Sequence, residues 1–222
     1  MPAAKASSAG RLPHALYFQV FGFKPGRGEE RRIRIIEAFI DSVATLGLEH
    51  TSYETLAKKV RMNRTHVAYY FPNRDELIRT AVRYSISMAQ QITISQVERA
   101  RSWKDRLRIV VSGPFDWLDK NPKHASILLL YCYLCTYDKN YRALQNSIRS
   151  MGEQRITSCF PDAVLEGKQD IIGVTRSIQA MTAGALQNYF SADFPSTLLE
   201  LRDAIVRSSI QLVGALLSST KP

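Results

Sequence analysis

From Glu29 to its last residues, the sequence repeats apolar side chains every three to four positions, a period that suits helices and little else. In the stretch 29–46, Ile35, Ile36, Phe39, Ile40 and Val43 fall on one side of a helix, and Gly47 stops it. Gly and Pro lie between such stretches more than within them. No strand-like alternation longer than a few residues occurs outside 16–23, and no internal repeat is visible. The expected fold class is therefore all-α. With 222 residues, of which 45% are hydrophobic, the chain can bury a real core.

The charge is unevenly spread. The net charge is +10, and residues 1–83 carry 14 Lys and Arg against 8 Asp and Glu, while 84–222 carry 16 against 12. A basic surplus at one end favours a polyanion, either nucleic acid or an anionic membrane face. No run of 18 uncharged apolar residues predicts a membrane span. The start of the chain lacks the signal-peptide order of basic, apolar and small residues, so the expected location is cytoplasmic. Residues 1–28 read as a flexible basic arm, of the kind that can reach into a minor groove. Within it, 16–23 is too apolar to stay solvated and is expected to dock on the body or a partner.

The next three helices carry the functional pattern. One starts at Thr51, where Thr51 and Glu54 fit a capping box, and buries Tyr53, Leu56, Ala57 and Val60. A short turn at Arg61-Met62 follows. Asn63 is the expected N-cap of a third helix ending at Phe71. Pro72 breaks the chain, and Asn73 caps a fourth helix with Asp75 and Glu76 in its first turn. Two short helices joined by a tight turn, directly after a longer one, make a helix-turn-helix. With Val67 centred on the buried side, Phe71 and Tyr70 fall near it. Thr65, Ala68 and Tyr69 then point away, His66 lies on a flank, and Asn63 and Arg64 sit at the tip. That face contains no acid. Arg can pair with guanine and Asn with adenine, while Thr and Tyr hydroxyls reach phosphates. The expected DNA-binding residues are Ser52, Tyr53, Asn63, Arg64, Thr65, His66, Tyr69, Tyr70 and Arg74, with Lys58 and Lys59 as further cations.

The stretch from Ile35 to Leu77 resembles the TetR/AcrR family of bacterial regulators. Ile35-Ile36 and Gly47 match its first helix, and Thr51-Ser52 with Leu56-Ala57 match its second. The run Phe71-Pro72-Asn73-Arg74-Asp75-Glu76-Leu77 matches its Phe-x-x-Lys-x-x-Leu ending, with Arg74 for Lys. The chain departs from the family at Arg61, where Gly is usual in the turn, and at Ala68, where a phosphate-touching Tyr is usual. The resemblance implies a three-helix DNA-binding domain over 29–76 and a helical effector and dimerisation domain over 77–222. It further implies operator DNA as partner, a homodimer and a repressor released by a small molecule. A protein that sits on DNA and recruits another protein, without a small-molecule effector, is the alternative reading.

Beyond residue 100 longer helices are expected: 102–120 with a kink or break at Gly113-Pro114, one opened by Asn121-Pro122, then 138–159, a loop over 161–167, and helices over 168–190 and 196–219. Ile171, Val174, Ile178, Met181 and Ala185 stripe one of the last two; Leu198, Leu201, Ile205, Ile210 and Val213 stripe the other. Two such helices from each chain would close a four-helix dimer contact. Trp103, Phe115, Leu118, Tyr131, Cys135, Met151 and Arg155 are the candidate ligand-binding residues, most of them apolar with few polar groups. Cys132 and Cys135 share a helical face and suit a redox pair or half a zinc site. No second pair and no nearby His supports zinc, and buried packing is the expected role. No metal, cofactor or catalytic set is expected: paired carboxylates, a Ser-His-Asp set and a glycine-rich phosphate loop are all missing from the sequence.

Overall fold

The computed structural model describes residues 27–166 and 170–219. The expected arm over 1–28, with the apolar segment 16–23, lies outside the described residues except for its last two positions, which are helical. Among the described residues there are helices and no strand. In chain order they are α1 (Arg27–Leu46), α2 (Tyr53–Val60), α3 (Arg64–Tyr70), α4 (Arg74–Val97), α5 (Trp103–Lys120), α6 (His124–Leu134), α7 (Lys139–Thr157), α8 (Asp162–Leu165), α9 (Ile171–Ser191) and α10 (Leu198–Ser218).

The chain forms two compact units, one of residues up to Gln91 with Ser126–Tyr131, the other of Ile92–Ala125 with Cys132 onward. The first unit extends past the boundary expected after Glu76, because the start of α4 is part of its core. Leu77, Ala81 and Val82 of α4 are fully buried, as are Ile35 and Ile36 of α1. Each of the Leu, Val and Ile side chains contributes about 1.5–3 kcal/mol by leaving water. Polar ties add direction: Tyr84 of α4 donates to Glu37 of α1 at 2.6 Å, and Arg32 donates to Glu76 at 3.0 Å. Gly47 ends α1 with φ +80, and its carbonyl accepts from the Thr51 hydroxyl at 2.8 Å. That bond corrects the capping reading. The N-cap of α2 is Ser52, whose Oγ accepts from the Thr55 amide at 3.1 Å, while Thr51 is buried and faces back to Gly47. A one-residue shift settles it, since only one side chain at this corner can point along the helix.

In the second unit α5 packs with α10, α9 with α7 and α10, and α8 with α10. The shared core includes Leu107, Val111, Ile156, Phe160, Ile178, Val206 and Val213. Ile171, Val174, Met181, Ile205 and Ile210 pack against it. The stripes assigned from sequence to a dimer contact therefore also build the chain's own core. Three boundaries differ from expectation. α5 runs unbroken through Pro114, where buried Gly113 and Phe115 hold the helix against one lost backbone bond. Asn121 caps the end of α5, its amide donating to the Trp117 carbonyl at 2.9 Å, so α6 starts at His124 and not at Pro122. The expected loop after Pro161 contains α8, which is pinned by fully buried Val164. Cys132 is exposed and not packed inside, because it lies on the outer side of the last turn of α6.

His124 meets Trp117 edge-on, with ring centres 4.5 Å apart, and burial lowers its pKa from 6.5 to about 4. The folded chain keeps this imidazole neutral where the unfolded chain takes up a proton. Stability from this site is complete above about pH 6.5 and is lost as pH falls towards 4, by about 2–3 kcal/mol. Urea melts across that range should show a steeper acid loss in the wild type than in His124→Gln. Parallel curves would mean that the imidazole is not held neutral.

Candidate nucleic-acid interface

The interface grows from one turn. Met62 donates its amide to the Ala57 carbonyl at 2.9 Å and Arg61 to that of Lys58 at 3.3 Å, which closes α2. This closure requires a left-handed residue, and Arg61 takes it with φ 54, the one non-glycine at positive φ among the described residues. The conformation costs an L residue about 1–2 kcal/mol. The position is where the family resemblance puts glycine, so the backbone keeps the glycine geometry while this chain adds a cationic side chain. Asn63 then starts α3, its Oδ1 accepting from the His66 amide at 2.7 Å. An N-cap of this kind is worth about 1 kcal/mol.

Val67 of α3 is fully buried, and Phe71 closes the helix with its amide on the Val67 carbonyl at 3.0 Å. Asn63, Arg64, Thr65, His66 and Tyr69 are all exposed, Tyr69 by 79%. Tyr70 is half-buried and meets Tyr69 edge-on, ring centres 5.4 Å apart. A groove beside this helix is lined by Arg31 and Arg34 of α1, Arg61 and Met62 of the turn, and Asn63, His66, Tyr69 and Tyr70. None of Arg31, Arg34, Arg61 and Arg64 has an ion-pair partner among the described residues. Uncompensated guanidiniums and hydroxyls around an acid-free helix face make a surface suited to phosphates and base edges.

Other residues expected on this surface have partners within the unit. The Tyr53 hydroxyl donates to the Phe71 carbonyl at 2.6 Å, and burial, with Glu76 nearby, pushes its pKa up. Its proton is thus engaged, and a phosphate offers only acceptors. The Arg74 guanidinium donates to the carbonyls of Leu48 and of Thr51, the latter at 3.2 Å, and so ties α4 to the corner between α1 and α2. Lys59 pairs with Asp41, whereas Lys58 stays exposed. Ser52 is exposed, with its Oγ serving the cap of α2. The groove also contains Arg31, Arg34, Arg61 and Met62, which were not among the DNA-binding residues expected from sequence. The only local signal for the first two was their spacing of three on the polar side of α1.

The residues expected to bind a ligand are more scattered. Phe115 and Leu118 are fully buried in the second unit, and Tyr131 is buried within the first. Trp103 and Arg155 are half-buried beside the second unit's core, Cys135 is half-buried at the end of α6, and Met151 is 45% exposed on α7. Among the described residues no group of three or more His, Cys, Asp or Glu could hold a metal ion, and no helix is long and apolar enough to cross a membrane.

No protein-family profile matches the chain. Among curated proteins it is similar to the HTH-type transcriptional regulator BetI of Stenotrophomonas maltophilia, 28% identical over 95 residues, which is 41% of this chain and 48% of that protein. BetI of Burkholderia cenocepacia is 29% identical over 94 residues, 42% of this chain and 48% of that protein. The matched stretch thus spans about half the length of these relatives. Among solved structures, a putative regulator from Saccharomonospora viridis in complex with choline has a TM-score of 0.72 at 17% identity, covering 82% of this chain and 96% of its own. A putative TetR-family regulator from a Rhodococcus species has 0.70 at 15% identity, covering 83% and 99%. FadR of Bacillus subtilis in complex with stearoyl-CoA has 0.68 at 16%, covering 80% and 97%. The chain has the fold of TetR-family transcriptional regulators.

Proposed function

We propose that the chain is a sequence-specific DNA-binding transcriptional regulator, working as a dimeric repressor that a small molecule releases. The observation that carries this reading is the exposed, acid-free face of α3 beside Arg31, Arg34 and Arg61, none of them ion-paired among the described residues. Asn63, Arg64, Thr65, His66 and Tyr69 read base edges, and the arginines around them hold phosphates. A DNA target puts this work in the cytoplasm. The likeness to the BetI regulators supports the DNA-binding half, and neighbours of the same fold holding choline and stearoyl-CoA support an effector in the helical half.

The dimer uses α9 and α10. In a single chain these helices still expose apolar surface, Ile172 by 62% and Leu199 by 39%, beside half-buried Leu186 and Phe190. A two-fold pair presents two recognition helices to one face of the duplex. The effector acts by binding one conformation better than the other, which shifts the spacing of those helices. Gel shifts on the DNA upstream of the chain's own gene test the reading, with sedimentation to give the mass of the complex. A dimer-sized, sequence-specific complex that weakens with salt is expected. Equal affinity for a scrambled duplex would reject it.

A further inference from the structure

We propose that Arg106 and Arg155 form a binding site for the anionic head, carboxylate or phosphate, of a small amphipathic molecule. Arg106 lies on α5 and Arg155 on α7, two helices that pack on each other. Both guanidiniums act electrostatically on the buried thiol of Cys159, which shares one core cluster with Leu107 and Ile156, so both lie near that one patch. Both residues are half-buried, and the Nε of Arg106 is a buried donor that no described acceptor reaches. A guanidinium stays charged at any working pH, and a buried charge without a partner is costly.

No carboxylate among the described residues pairs with either arginine. The contrast within the same unit is direct. Arg202, also shielded, pairs with Asp116 at 2.5 Å and Asp203 at 2.8 Å, and Arg176 reaches Glu153 at 3.1 Å. Nor does Cys159 supply the missing negative charge. Its thiol is buried, donates to the Arg155 carbonyl at 3.3 Å, and is pushed up in pKa by that burial, while both arginines pull the other way. Two guanidinium forks beside one patch match the planar, bidentate geometry of carboxylate and phosphate oxygens. On α5, Trp103, Arg106 and Val110 share one face at helical spacing, and the two apolar members are partly buried against the core. They give an apolar body somewhere to lie next to its charged head.

This inference rests on the effector half of the proposed function and names the class of effector. Calorimetry on the full chain without DNA tests it, with decanoate, decyl phosphate and decyltrimethylammonium as probes below their micelle concentrations. Both anions should bind and the cation should not, and the stronger anion identifies the head group. Arg106→Gln and Arg155→Gln should each weaken anion binding roughly tenfold or more. Both variants should melt no lower than wild type when no anion is present, because each removes an unpaired shielded charge. Should a Gln variant fail to fold, Arg106→Lys and Arg155→Lys keep the charge, lose the fork and should bind more weakly than wild type. Equal binding of the cation, no binding of either anion, or unchanged affinity in the variants would overturn the site. The gel shift without anion is scored separately: DNA binding with no anion binding sinks this inference alone, and anion binding with no DNA binding sinks the regulator reading.

Discussion

Phe71→Ala should destabilise the first unit by about 3–5 kcal/mol, a large part of the roughly 5–15 kcal/mol that holds a typical domain together. Three roles meet at this residue. Its side chain is fully buried, its ring lies under the Arg32 guanidinium with the carbon 4.6 Å from the ring centre, and its carbonyl accepts the Tyr53 hydroxyl. Truncation leaves a cavity, removes the cation–π contact and loosens the end of α3. Tyr53→Phe removes only the hydroxyl bond and should cost about 1 kcal/mol. Urea denaturation measures both. An alanine variant no weaker than the Tyr53 variant would show that the packing around Phe71 collapses without cost, contrary to the burial described.

The triple variant Arg31→Ala, Arg34→Ala, Arg61→Ala should lose roughly a hundred- to thousandfold in DNA affinity at low salt, alike on specific and scrambled duplexes. If each arginine neutralises one phosphate, the dependence of log affinity on log salt should flatten by about 2.7 per recognition domain. Arg74→Ala is the informative comparison. Its guanidinium already serves the Leu48 and Thr51 carbonyls, so its loss should lower the melting temperature more than the salt slope. An unchanged slope in the triple variant would remove the groove beside α3 from the interface. A slope that falls with Arg74 alone would make that residue a phosphate contact as well.

Much of the fold was legible because its signals are local. The apolar stripe of α1, the stop at Gly47, the Asn63 cap and the buried side of α3 each depend on residues a few positions apart, and helical geometry fixes their relation. The misreadings cluster where two local solutions compete. Thr51 and Ser52 are both good caps, and only one faces the helix. Pro114 reads as a break until the buried residues on either side outweigh it. Phe115 and Met151 look alike as candidate pocket residues, yet one is fully buried and the other faces solvent, because helix spacing does not say which side has a neighbour.

By itself the sequence determined that the chain is helical, that 51–71 forms a helix-turn-helix, and that the outward side of α3 carries no acid. The first two follow from signals a few residues apart, and the third holds for either side because α3 has no acid at any position. Only the tertiary structure decided which cations remain available. Arg74, Lys59 and the Tyr53 hydroxyl are drawn to acceptors 18 to 26 positions away in the chain, while Arg31, Arg34 and Arg61 are left together at the edge of one groove. A polar group's role depends on who else claims its hydrogen bonds, and that competition is settled only when separate helices meet.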